Sequence, residues 1–457
     1  TVAYVYASCG NFAQGTIYRG FDSNAGALTS VLSQPGQGRS TIAIAPSNEN
    51  FVYILSARNN AGGPGANGLF GVFRSTVNGN PGSFTTQVAG NVDANTGPLQ
   101  ARINQLLLSN PVFGVFSDCG FGGPNQFFNQ GWYDNIIAVD PADPNRVWAG
   151  GIDLWRSDDG GVNWGTASFW WFDKDVDPQY SHADQHAIVF HPGYNGTTNR
   201  VMFAASDGGI TRIDNARSPV STALAQICGS GSVGGPWIDR NNNYQTTQFY
   251  DGVAYPNGAT YFGGLQDNGT MRGVSGNTNW NVLAGGDGGY VAVDTLNDGS
   301  SVNDILFLEN TGYSIQKSTN GGTTFVDAIN GIEGDPGSGG PLFITPFTMN
   351  LGTKSQLWTG GWSIYRTSNY ATNWTRATAA NGTCGLGSVS AIAVHPLDGN
   401  RVMVGMTDGC VNYQTAALST TNTSAWPSVV MSANRYISWL AFDPVDGARV
   451  EIRVVHH

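Results

Sequence analysis

One phrase recurs along the chain and limits its fold more than any other feature. An alternating apolar run is followed by Pro or Asp, then a polar turn, then a second apolar run. It reads TIAIAPSNENFVYILSA from Thr41, IIAVDPADPNRVWAGG from Ile136 and AIVFHPGYNGTTNRVMFAAS from Ala187. It returns as GVAYPNGATYFGG from Gly252, YVAVDTLNDGSSVNDILFLEN from Tyr290 and LFITPFTMNLGTKSQLWTGG from Leu342. The last copies are AIAVHPLDGNRVMVGM from Ala391 and WLAFDPVDGARV from Trp439. Apolar residues at period two mark a strand, and clusters of Pro, Asp, Asn and Gly supply turns. Each unit therefore reads strand, turn, strand. The first strands centre near residues 44, 139, 190, 254, 292, 345, 394 and 441, in steps of 95, 51, 64, 38, 53, 49 and 47.

A step near 50 is the size of a four-stranded propeller blade. The fold class expected is all-β: a single β-propeller domain over 1–457, with eight blades, or seven if one weak unit is an excursion. The N-terminal VAYVYAS reads as a second strand and the C-terminal WLAFDPVDG as a first strand. The N- and C-terminal strands are thus expected to pair and close one blade. The long first step holds an insertion, with a Gly-rich loop around 117–131 that contains CGFGGPNQFFNQG. Third strands follow as GLFGVFRS, GIDLWRS, GGITRID, GYSIQKS and GWSIYRT.

The acidic stretch SDDGGVNW (157–164) directly follows GIDLWR, and STNGGTTF (318–325) and TSNYATNW (367–374) follow their third strands in the same way. A stretched version, STVNGNPGSF, follows GVFR. A catalytic loop would occur once, whereas a hairpin device recurs in each blade. Asp or Asn can bond local backbone N–H groups, Gly takes positive φ, and the closing Trp or Phe can pack between blades.

Composition removes several function classes. The net charge is −11, lysine occurs only at Lys174, Lys317 and Lys354, and no run of basic residues exists. Nucleic-acid binding, which needs clustered cations, is not expected. Nor is membrane insertion, since no apolar run reaches the ~18 residues of a spanning helix. Five cysteines (Cys9, Cys119, Cys228, Cys384, Cys410) form no CxxC pair, which argues against zinc. Cys384 and Cys410 flank one strand pair and could form a disulfide. Sequons stand at Asn195, Asn268, Asn373, Asn381 and Asn422. Low lysine, abundant Gly, Asn, Ser and Thr, and acidic charge together suggest a secreted or cell-surface protein.

The pattern S/T-x-D/N-x-G-x-T/N-W/F resembles the Asp-box, or BNR repeat, of sialidase, sortilin-type and xyloglucanase-type β-propellers. SDDGGVNW carries Asn163 for the usual Thr. STNGGTTF has Asn320 for Asp and Phe325 for Trp, and TSNYATNW has Ala371 for Gly. The surrounding blade phrases, such as YFGGLQDNGT, are similar to the sortilin and xyloglucanase side of the group. No Phe-Arg-Ile-Pro-like motif occurs, so sialidase activity is not implied. The resemblance to xyloglucanases implies inverting hydrolysis by two aspartates. AASDGGITR places Asp207 on the first of their motifs, and GGDGGYVAVD places Asp287 on the second. Asp267 (QDNGT) and Asp408 (TDGC) share the repeat position of Asp207, which leaves a turn role open for all three.

In a propeller, ligands meet residues just before the innermost strands. Those positions hold Tyr133 and Asp134 (GWYDN), His182, Asp184 and His186 (SHADQH), and Gln248, Tyr250 and Asp251 (TTQFYDG). Asp287 and Asp267 join them. The catalytic candidates are Asp207, Asp287, Asp184 and His186, because glycoside hydrolysis needs a proton-donating and a base or nucleophilic carboxyl. The substrate-binding candidates are Tyr133, Asp134, Gln248, Tyr250, Asp267 and Trp171, the last from FWWF (169–172), an aromatic run whose rings could stack on sugar. His182, Asp184 and His186 alternate, so on one strand they would share a face and could ligate a divalent metal. They could also move protons in a lyase with Tyr180 nearby, or His186 could simply plug the channel. No cofactor is expected. A structural Ca2+ in a blade loop is left open, without EF-hand-like spacing. The partner expected is a polysaccharide or glycoprotein, for processing or binding. The rivals are a non-catalytic protein-binding, adhesion or extracellular assembly propeller.

Overall fold

The computed structural model describes residues 3–24, 27–60, 65–90, 97–115, 117–120, 127–229, 233–242, 247–296, 301–332, 340–379, 387–431, 435–443 and 449–455. The fold is an all-β propeller built of antiparallel up-and-down sheets. Among the described residues there are nine sheets. Seven are four-stranded, spanning 37–89, 136–166, 185–239, 249–284, 291–327, 347–376 and 389–430. A three-stranded sheet (4–32) precedes them and a two-stranded one (436–455) follows. The chain falls into two compact units, Thr1–Thr246 and Thr247–His457. No helix among the described residues is long and apolar enough to cross a membrane.

Each of the eight recurring phrases begins a sheet. Their first strands are Gln37–Ile44, Ile136–Val139, Gln185–Phe190, Phe249–Ala254, Val291–Asp294, Phe347–Met349, Val389–His395 and Tyr436–Phe442. Within each unit consecutive first strands pack side by side. Several second strands are buried on both faces: in Val52–Arg58 six of seven residues are buried, and Val147–Gly150 and Leu357–Gly360 are buried throughout, which suits their near-continuous apolar character. The acidic residue closing a first strand latches one blade to the next. Asp140 accepts bonds from Arg217 and from the Tyr194 hydroxyl (2.6 Å), and Asp294 accepts them from Lys354 (3.0 Å) and the Tyr370 hydroxyl (2.8 Å).

SDDGGVNW joins the third strand of its sheet, Leu154–Ser157, to the fourth, Gly165–Thr166. The Ser157 hydroxyl donates to Asp159 (2.7 Å) and accepts the Gly161 amide (2.9 Å). The Asp159 carboxylate accepts the amides of Val162 (3.2 Å) and Asn163 (2.9 Å). Gly160 and Gly161 take φ of 77° and 91°. Trp164 closes the turn, 1% exposed, its indole N–H on the Gly161 carbonyl. The same bonds recur around Ser318 and Asn320, and around Thr367 and Asn369. In the third copy Tyr370 and Ala371 hold the left-handed backbone that glycines hold in the first. The structural reading of this motif agrees with the geometry.

Two expectations about layout change. The pairing of the N- and C-terminal strands is not among the ladders of the described residues. Tyr4–Cys9 pairs with Thr16–Phe21 and packs beside the first strand Gln37–Ile44, so it takes a first-strand place rather than a second. Tyr436–Phe442 has its own second strand, Val450–Val455. The edge that a returning N-terminal strand would need is filled. The insertion is also more than a Gly-rich loop. It opens with helical turns at Leu99–Gln105, Leu106–Leu108 and Pro111–Gly114, which bury Ile103 and Leu106 to Leu108 in the core beside Trp155 and Trp164. Of the expected loop, residues 121–126 lie outside the described residues.

The cysteines add a bond that the sequence left open. Cys119 of the insertion is bonded to Cys228, which follows the short helix Leu224–Ile227, and Cys9 is free and exposed. Cys410 is disulfide-bonded, and Cys384, its expected partner, lies outside the described residues.

Candidate functional site

In the first unit the side chains flagged before the first strands converge on Asp207. This residue and Gly208 form the tight turn between Met202–Ser206 and Gly209–Ile213. A Cβ on Gly208 would come within 2.3–2.5 Å of the His182 side chain, so the turn admits no larger residue there without moving that ring. The Asp207 carboxylate accepts the Tyr133 hydroxyl at 3.0 and 3.1 Å. The His186 Nε2 lies 2.5 Å from its Oδ1. His186 stands at a register irregularity between Gln185 and Ala187, and such bulges re-aim a side chain out of the alternating pattern. Its ring meets Tyr133 edge-on, with centroids 5.1 Å apart. Tyr133 is fixed by its backbone: its amide donates to the Gln130 carbonyl (2.7 Å), and Arg39 donates to the carbonyls of Trp132 (2.8 Å) and Tyr133.

A set of carboxyls lies near this anion. Asp184, with a left-handed φ of 64°, accepts Gln130 Nε2 at 2.8 Å. Burial raises its pKa, and the charge of Asp207 pushes the same way, against the pull of Gln130. Asp134 is fully buried, and among the described residues neither of its oxygens finds a donor. Burial, then the charge of Asp184, holds it well above the usual carboxylate range. A buried carboxyl facing another acid and no donor is stabilised by keeping a proton. Asp153 is also fully buried. Burial raises it strongly, although its Oδ1 accepts the Ser168 hydroxyl (2.8 Å) and the Trp170 amide (3.1 Å). The site thus couples an accessible carboxylate, on a half-exposed imidazole, to acids whose surroundings favour the neutral form.

Aromatic rings lead away from it. Phe12 and Trp132 have centroids 5.8 Å apart, and Trp132 and Tyr133 5.5 Å. Phe12 is 52% and Trp132 40% exposed. Neither stood among the sequence candidates. Trp132 carries a signal, since it adjoins Tyr133 in GWYDN. Phe12 carries none, because it reaches the row from a different sheet.

Other candidates do not join the site. His182, Asp184 and His186 do not share a face. The strand begins only at Gln185, and the left-handed turn at Asp184 breaks the alternation. The His182 Nδ1 sits 3.1 Å from the Ala183 carbonyl. No group of three or more metal-ligating side chains converges among the described residues. Tyr133, not Tyr180, is the phenol that meets His186. Trp171 is half-buried and packs on the core cluster, edge-on to Phe169 and Phe172. The rings of FWWF pack on one another.

In the second unit the Asp287 carboxylate accepts the Asp267 amide at 3.0 Å, a bond that holds a turn. The Gln248 carbonyl accepts the Gln266 amide. Tyr250 is half-buried, its hydroxyl raised by burial and then by the charges of Asp287 and Asp267. Asp251 accepts the Val291 amide (3.0 Å), and burial raises its pKa. Glu309, unflagged by the sequence, is fully buried and bonds the amides of Tyr290 (3.0 Å) and Thr345 (2.5 Å), and burial pushes it up to about 9.

No family model and no curated protein matches the chain. Solved structures similar to it include the GH74 xyloglucanase from Xanthomonas campestris, at 15% identity and a TM-score of 0.42, covering 90% of this chain and 53% of that one. The chain thus spans about half the length of that enzyme. The GH74 enzyme of Niastella koreensis is 15% identical, with a TM-score of 0.27, covering 98% of this chain and 77% of that one. YCF48 from Cyanidioschyzon merolae is 12% identical, with a TM-score of 0.28, covering 69% and 91%. These likenesses assign no activity to the chain.

Proposed function

We propose that this chain is a carbohydrate-recognising propeller that binds an extracellular polysaccharide and cleaves it by glycoside hydrolase-like chemistry. The observation that carries the reading is the Asp207 carboxylate, held by a phenol and an imidazole at the end of an exposed aromatic row. Hydrolysis of a glycosidic bond needs one carboxylate to activate water and one carboxyl to protonate the leaving oxygen. Asp207 takes the first role, oriented by Tyr133 and His186. Asp184, raised by burial, takes the second, with Asp134 beside it. The apolar faces of sugar rings fit Phe12 and Trp132, as apolar walls with a few placed polar groups suit ligand binding.

The same reading takes the SDDGGVNW-type turns as Asp-boxes, supported by the bonding pattern repeated in three of them. Secretion is supported by the Cys119–Cys228 disulfide, since such bonds persist in oxidising compartments. A second chemistry, β-elimination by His186 and Tyr133, is favoured by one observation: both side chains rest on Asp207 with their rings in contact.

The test is a screen of the full chain against plant, algal and bacterial polysaccharides, reading new reducing ends and the absorbance of unsaturated sugars. Hydrolysis predicts reducing ends without that absorbance, lost in Asp207→Asn. Unsaturated products would replace the hydrolase by the lyase. Silence on every glycan would overturn both and leave a protein-binding or assembly propeller.

A further inference from the structure

The second unit contains a pocket that the proposed reaction does not use. Its volume is about 320 Å³, and four aromatic side chains line it: Tyr250, Tyr290, Phe343 and Tyr436. Aliphatic side chains and Ser390 complete the wall, and no lysine, arginine or histidine lines it. The four rings come from separate blade segments: Tyr250 and Tyr436 stand at the start of the strands Phe249–Ala254 and Tyr436–Phe442, and Tyr290 and Phe343 precede Val291–Asp294 and Phe347–Met349. Among the described residues, the Tyr250 and Tyr290 hydroxyls have no protein hydrogen-bond partner. Phe343 is 60% exposed.

Carboxyls lie near two of these rings, Tyr250 and Tyr290. Glu309, fully buried, bonds the amide of Tyr290 and that of Thr345, which follows the lining segment 342–344. Asp251 adjoins Tyr250 in sequence and bonds the Val291 amide, next to Tyr290. The charge of Asp251 reaches the Tyr290 hydroxyl and those of Asp287 and Asp267 reach Tyr250, whereas Glu309, pushed up to about 9 by burial, is neutral near pH 7. Aromatic faces carry negative quadrupole potential, and the nearby carboxylates of Asp251, Asp267 and Asp287 add to it. Such a field repels phosphate, sulfate or uronate and favours a cation. A hard metal ion would want carboxylate oxygens in the pocket, whereas here the oxygens of Asp251 and Glu309 are engaged by backbone amides. Rings are what the pocket presents.

We infer that this pocket is an aromatic cage for an organic cation of the quaternary ammonium class. The cation would sit against the faces of Tyr290, Tyr250, Tyr436 and Phe343, the arrangement by which such groups are recognised. Its lining shares no residue with the group around Asp207, so its test does not depend on the hydrolytic reading.

The experiment is calorimetric titration of the full chain with choline, and with the uncharged isostere that has carbon in place of the ammonium nitrogen. Choline is expected to bind about tenfold or more tightly than the isostere, the margin a desolvated cation–π contact supplies. Phe343→Ala, at an exposed position that does not endanger folding, is expected to weaken choline roughly fivefold. Asp207→Asn should leave the titration unchanged. Equal binding of the isostere, no binding of choline, or displacement of choline by glucose would each overturn the inference.

Discussion

Asp207, Asp267 and Asp408 fill the same turn position in three sheets, yet their surroundings differ. Asp408 accepts the amides of Gly387 (3.1 Å) and Cys410 (3.4 Å), whereas Asp207 meets Tyr133 and His186 from two other segments. If Asp207 is the base, Asp207→Asn lowers turnover by about a hundredfold to ten-thousandfold with little change in Tm, checked by steady-state kinetics beside thermal melting. Asp153 makes a second test by pH. Its pKa is raised in the folded state, so its stability is fully present below the unfolded value near ~3.9 and is lost as pH rises through the folded one. Asp153→Asn keeps an oxygen for Ser168 and Trp170 and removes that titration. Its Tm is expected to match the wild type near pH 3 and to exceed it increasingly toward neutral pH, as melting curves across that range would read. A constant offset would exclude the linkage. Position before a first strand sufficed to flag Tyr133, Asp134, Asp184 and His186. The raised pKa of Asp134 was not legible, because it arises from burial and from Asp184, fifty residues away in sequence. Phe12 was equally hidden, for its place in the row depends on sheet packing.

At the scale of elements, the repeat was the readable feature, because blades use local turn chemistry. Ser157, Asp159, Gly160 and Gly161 close their turn with bonds inside eight residues, so its recurrence signals structure. Trp164, 1% exposed, joins the core beside Trp155. Trp164→Ala is expected to cost roughly 3–5 kcal/mol in chemical denaturation. Unchanged melting with lost activity would contradict the structural role. The insertion was less legible. LQARINQLLL buries its apolar residues at helical spacing, and a search for period two passes over it. The disulfide from Cys119 to Cys228 fastens this insertion across 109 residues, a pairing that five cysteines alone do not determine. Replacing both by Ser is expected to lower stability by about 2–4 kcal/mol, read by denaturant midpoint. A smaller loss would mean that the burial of Leu106 to Leu108 holds the insertion without the bond.

For the whole molecule, the all-β class and all eight recurring first strands were readable from spacing. Each strand pair is local, and the apolar phrase marks it. The sheet at 4–32 was misread as the tail of a shared blade, since a lone apolar run does not tell which edge of a sheet it takes. The two aspartates singled out by family resemblance fall in different units. Asp207 holds a phenol and an imidazole, and Asp287 holds a backbone amide that an Asn oxygen would also hold. The most direct measurement compares Asp207→Asn with Asp287→Asn on the polysaccharide that the wild type cleaves. Loss of cleavage is expected in Asp207→Asn, and activity within a few-fold of wild type in Asp287→Asn. Intact cleavage in Asp207→Asn, or its loss in Asp287→Asn alone, would contradict the assignment of the active site to the first unit.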